Sequence, residues 1–122
     1  MNKTQNNTKY DLEERTFSFA KNIRKFIQKL PKNILNLDDI RQLIRSSGSI
    51  GANYREANDA LGKKDFIMRI RICRKEAKES LYWLRLLGID DNAFNATRDN
   101  LQQEAREFIN IFGAIIRNYL KK

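Results

Sequence analysis

Over residues 66–87 the sequence FIMRIRICRKEAKESLYWLRLL keeps a helical period for about six turns, and it carries three different faces on one helix. At about 100° per residue, Phe66, Ile70, Cys73, Ala77, Ser80, Leu81, Leu84 and Leu87 fall on one side and form a core stripe. A second sector, roughly 100° wide, gathers Lys64, Arg71, Arg74, Lys75, Lys78 and Arg85 around Tyr82, with no acid among them. The third sector sets Met68, Ile72, Trp83 and Leu86 beside Glu76 and Glu79, which is too apolar for a face that meets only water. A helix with one core stripe and a second apolar side is predicted to bury both, the first in its own bundle and the second against another copy of the chain.

The flanking segments supply partners of the same kind. Residues 1–10, MNKTQNNTKY, read as a flexible polar tail. Asp11 with Glu14 then fits a capping box, opening a first helix over about residues 11–30. Its stripe is Leu12, Thr16, Phe19, Ile23, Phe26, Ile27 and Leu30, and Pro31 ends it. Asn36 followed by Asp39 predicts the start of a second helix, about 37–61, with Ile40, Leu43, Ile44, Ser47, Ile50, Tyr54, Ala57 and Leu61 inward. Gly48 and Gly51 inside it cost up to about 1 kcal/mol each relative to Ala, which the close approach of a neighbouring helix would offset. A small polar row on the same helix, Ser46, Ser49, Asn53, Glu56 and Ala60, either meets another helix through hydrogen bonds or faces water. Gly62 and Gly88 suit C-terminal caps on either side of the third helix, about 64–87. Asp90 and Asp91 then cap a fourth, about 91–120, with Phe94, Leu101, Ala105, Phe108, Phe112, Ile115 and Tyr119 on its core side. Four helices joined by short connections predict an all-α, antiparallel up-down-up-down four-helix bundle.

Composition narrows the function. The 122 residues suffice for one domain with a real core, and their net charge of +9 points to an acidic partner, nucleic acid before an anionic membrane surface. A basic surface with no specific partner is the plain alternative. There is no histidine at all, which removes His-based acid–base chemistry, Ser-His triads and the commonest metal ligand. Glu76-x-x-Glu79 lacks the further acids and the Glu-x-x-His pairs of a di-metal bundle, and no phosphate-binding glycine loop is present. The expectation is a non-enzymatic protein with no cofactor and no metal. The single Cys73 sits on the core stripe, and the opening residues have no apolar run, so a reduced, cytoplasmic setting is expected, with no membrane span. The six cations of the third helix are the candidate nucleic-acid contacts. They would give salt-sensitive, largely sequence-independent binding through phosphates. A protein adaptor presenting the same surface to an acidic partner is the competing class.

The run Ser49-Ile50-Gly51-Ala52-Asn53-Tyr54-Arg55-Glu56-Ala57, followed by Lys64-Asp65-Phe66-Ile67 and by Lys75-Glu76-Ala77-x-Glu79-Ser80-x-Tyr82-Trp83-Leu84, resembles the four-helix-bundle proteins encoded in intervening sequences of bacterial 23S ribosomal RNA genes. Many relatives place Pro after the Ser-Ile pair and continue from Asn into Ile-Ala-Glu-Gly; this chain has Gly51 and Tyr-Arg-Glu-Ala. The motif residues carried over are Ser49, Ile50, Asn53, Glu56 and Ala57. The resemblance implies an antiparallel bundle that assembles into a ring-like homo-oligomer, a pentamer, and it brings no catalytic residues. A sister group, the accessory proteins of diversity-generating retroelements, is similarly basic and pentameric and is thought to bind reverse transcriptase and RNA. On this reading the oligomer interface comprises Met68, Ile72, Glu76, Glu79, Trp83 and Leu86, the second apolar side of the third helix.

Overall fold

The structure is a computed structural model that describes the backbone of residues 3–121 and the side chains of residues 11–121. Its elements are α1 (Lys3–Gln28), α2 (Ile34–Asn58), α3 (Lys63–Leu86), a short 3-10 turn (Asn92–Phe94) and α4 (Asn95–Leu120). The chain is all-α, and consecutive helices pack on one another, α1 on α2, α2 on α3 and α3 on α4, as in an up-down bundle. Among the described residues no helix is long and apolar enough to cross a membrane.

The stripes turn inward nearly as their period requires. All seven positions expected of the first helix are buried, Leu30 just past the end of α1, as are Ile40, Leu43, Ser47, Ile50, Tyr54 and Ala57 on α2, with Ile44 half-buried. From α3 come Ile70, Cys73, Ala77, Ser80, Leu84 and, just past its end, Leu87; from α4 come Leu101, Ala105, Phe108 and Phe112. Leu61 departs from this pattern and is fully exposed, because α2 ends at Asn58 and leaves Leu61 on the connection to α3. Backbone approach between α1 and α4 is sparse, and side chains close that seam. Phe19 meets Phe108 edge-on at 5.5 Å, and Arg15 holds Glu104 through two 2.8 Å hydrogen bonds while also donating to Glu107. The Arg15 hydrogen bond keeps the Glu107 carboxyl below its ordinary range.

The helix ends differ from the sequence reading. The expected flexible tail, residues 1–10, lies outside the described side chains; the backbone of α1 already runs from Lys3, so Asp11 and Glu14 are interior residues and not a capping box. Asn33, not Asn36, caps α2 by accepting from the Asn36 N–H at 2.9 Å. Asn36 itself is buried, and its amide ties two loops together by donating to the carbonyls of Pro31 and Gly88 and accepting from the Gly88 N–H. Gly62 is the extended N-cap of α3, and no described glycine has positive φ, so neither Gly62 nor Gly88 ends a helix in a left-handed turn. At the end of α3 the carbonyls of Leu84, Arg85 and Leu87 are satisfied instead by the guanidinium of Arg98 from α4.

Gly51 explains itself at the α1–α2 crossing. A Cβ there would stand 2.9 Å from Thr16 Oγ1 and 3.3 Å from Thr16 Cβ, and Thr16 is buried with its hydroxyl bound to the Leu12 carbonyl at 2.7 Å. Gly51→Ala gains up to about 1 kcal/mol of helix propensity, yet overpacking a rigid β-branched neighbour costs about 1–3 kcal/mol. Urea denaturation should show a net loss near 1 kcal/mol, and the loss should shrink in a Thr16→Ala background.

Candidate nucleic-acid interface

The buried stripe of α3 fixes the roll of that helix, and the roll decides where its cations go. Lys64, Arg71, Lys75, Lys78 and Arg85 are all exposed. Among the described residues Lys64, Arg71, Lys78 and Arg85 make no ion pair, and Lys75 approaches Glu79 only at 3.9 Å. Arg74 is the exception in the set. It is half-buried, its Nε donates to the Ile109 carbonyl at 3.3 Å, and a Cβ on Gly113 would lie 3.2 Å from that nitrogen. Its side chain crosses α4 in the notch left by Gly113, so Arg74 acts as a strut between α3 and α4.

Between these two helices lies a groove of about 470 Å³ lined by Arg71, Arg74, Lys75, Lys78, Glu79, Tyr82, Trp83 and Ile116. It joins the basic sector of α3 to part of the adjoining apolar one, and Ile116 of α4, which the α3 wheel alone cannot show, closes one side. Tyr82 and Trp83 meet at right angles, their centroids 5.0 Å apart and their planes at 81°. The Trp83 Nε1 is buried with no hydrogen-bond partner among the described residues.

The remaining candidate interface residues do not form one compact patch. Met68 and Leu86 are about half exposed, stand about 27 Å apart along the helix, and Ile72 between them is half-buried. Glu76 and Glu79 find their partner within the chain, Arg45 of α2, at 3.2 and 2.9 Å. The polar row of α2 likewise turns toward α3: Ser46 shares a 2.9 Å hydrogen bond with Ser80, and Asn53 accepts from Arg69 at 3.1 Å. Of the motif residues, Ile50 and Ala57 are buried, Ser49 accepts from Asn53 at 2.9 Å, and Glu56 is exposed. A second apolar area, missed in the periodicity, sits at the α1–α2 corner. There Ile34 and Leu35 are 85% and 79% exposed and line a shared cleft with Leu86 and the acids Asp38, Asp39 and Asp90. Cys73 is sealed in the core and its thiol is pushed up to about 12 by burial, so it is an inert packing group.

A four-helix, all-α protein with a cation-lined groove along its third helix is the class that the fold and this surface define. The chain belongs to the 23S rRNA-intervening sequence protein family, whose model matches residues 8–114. It is also similar to a crystal structure of a protein with unknown function from the S23 ribosomal protein family of Bacteroides thetaiotaomicron VPI-5482. That likeness has a TM-score of 0.71 at 29% sequence identity and covers 86% of this chain and 97% of that one. Among curated proteins nothing matches.

Proposed function

We propose that this protein is a non-catalytic, basic scaffold that assembles with copies of itself and binds RNA through phosphate contacts along α3. The observation that carries the reading is the row of exposed α3 cations without carboxylate partners. From Lys64 to Arg85 the row extends about 32 Å, enough to follow several phosphates. Charges neutralised within the chain, such as Arg15 and Arg45, offer a polyanion little. Charges left unpaired on one side of a rigid helix release counterions when phosphates replace them. Self-assembly is supported by the exposed Ile34, Leu35, Met68 and Leu86, and the family resemblance sets five as the expected number of copies, which native mass spectrometry reads directly.

The test is a salt titration of nuclease-treated protein with a structured ribosomal RNA fragment. Four phosphate contacts per protomer predict a slope of log K against log salt near −3 to −4. Absence of binding at low salt would overturn the reading and leave the cations to an acidic protein partner.

A further inference from the structure

Phosphate contacts alone do not account for the composition of the α3–α4 groove. Tyr82 is 56% exposed and stands beside Trp83 in a space rimmed by Arg71, Lys75 and Lys78. A groove meant only for backbone phosphates gains nothing from an open aromatic ring, whereas an unstacked base does, because every base presents a π-face to an aromatic side chain. The volume, about 470 Å³, lies within the range of small-molecule sites, about 300–1,000 Å³. Its floor includes Ile116, and the buried Trp83 Nε1 is a donor that no described residue satisfies. A duplex keeps its bases stacked inside and cannot use such a ring; a single strand can splay one out.

We propose that the α3–α4 groove takes one unstacked base of a single-stranded RNA segment, laid against Tyr82 beside Trp83, with the adjoining phosphates on Arg71, Lys75 and Lys78. Tyr82 supplies the stacking surface, Ile116 the apolar floor, and the cations hold the backbone on either side. Arg74, tied to the Ile109 carbonyl, keeps α4 at the distance that leaves the groove open. This rests on the reading of α3 as an RNA surface and adds to it a preference for unpaired over paired strands.

Trp83 is the chain's single tryptophan, so its fluorescence reports the groove without a label. The experiment titrates the full chain with oligouridylate, oligoadenylate and a blunt RNA duplex of equal phosphate number, reading both affinity and Trp83 emission, for the parent, Tyr82→Ala and Tyr82→Phe. The expected result is quenching by the single strands and not by the duplex. Tyr82→Ala should weaken the single strands roughly 5- to 150-fold, leave the duplex within about twofold, and be reversed by Tyr82→Phe. Equal affinity for both forms with unchanged emission, or equal weakening of both by Tyr82→Ala, would overturn the base site while leaving the phosphate reading intact. Binding by neither form would overturn both. Circular dichroism of each variant keeps the comparison to folded protein, which an exposed position such as Tyr82 favours.

Discussion

Phe108→Ala should lower the unfolding free energy by about 3–5 kcal/mol, a large share of the roughly 5–15 kcal/mol that holds a domain folded. Phe108 is fully buried and serves three neighbours at once. It meets Phe19 of α1 edge-on at 5.5 Å, stacks near Phe112 at 6.1 Å, and lies under the Arg15 guanidinium at 5.1 Å. Because α1 and α4 approach each other little through their backbones, this ring and the Arg15 bridge carry the seam. Truncation opens a cavity that α1 cannot close without leaving α2, to which it is fixed at the Thr16–Gly51 contact. Alanine recovers a few tenths of a kcal/mol through better helix propensity, too little to matter. The control is the same change at Phe17 on the outer side of α1, 52% exposed, which should move stability by no more than about 0.5 kcal/mol. Urea titrations of both variants, followed by far-UV circular dichroism, decide the point. Equal losses at the two positions would mean that the seam is not where α4 is held.

What periodicity could see, it saw. The stripe of α1 and most of those of α2, α3 and α4 were legible because each buried side chain repeats at 3–4 residue spacing, and short connections leave four helices few other ways to pack; Phe94, Ile115 and Tyr119, expected inward on α4, are half-buried. Helix ends were less legible, for a physical reason: the orphan carbonyls and amides of a terminus can be met by any side chain that reaches them. Here Arg98, eleven residues beyond Leu87, did what Gly88 was expected to do, and Asn36 became a latch between loops. The cation band was readable as a band, yet a wheel of one helix cannot show which cation lies against a second helix. Arg74 lies against α4 where Gly113 leaves a notch opposite it, and nothing within α3 announces that notch. The Glu76 and Glu79 pair was similarly ambiguous until Arg45 from α2 was placed beside both.

That distinction separates two variants which the charge count treats alike. Replacing Arg71, Lys75 and Lys78 together with Gln should leave folding nearly unchanged, since all three are exposed and the one ion pair among them is a long one on the surface. The same replacement should reduce the salt slope of RNA binding by about 2–3 and weaken binding at physiological salt roughly a hundredfold, because each lost cation forfeits about 0.7–0.9 of a counterion release. Arg74→Gln should act on folding as well. It removes a hydrogen bond to the Ile109 carbonyl and the packing of a long stem over Gly113, costing about 1–2 kcal/mol of stability. Its effect on the salt slope should be at most that of one charge, about 0.7–0.9, because the Nε hydrogen bond to a neutral carbonyl leaves the positive charge and the terminal nitrogens free to meet a phosphate. Denaturation and salt titration on the same two proteins therefore form a crossed test. If Arg74→Gln flattened the slope as much per charge as the triple variant, the terminal nitrogens of Arg74 would reach a phosphate while its Nε stays on the Ile109 carbonyl; if it left the slope unchanged, Arg74 would serve as a strut alone. If neither variant changed the slope, the phosphates would be held elsewhere, and the next cations to replace would be the exposed Lys21 and Lys25 of α1 and Lys29 just past its end.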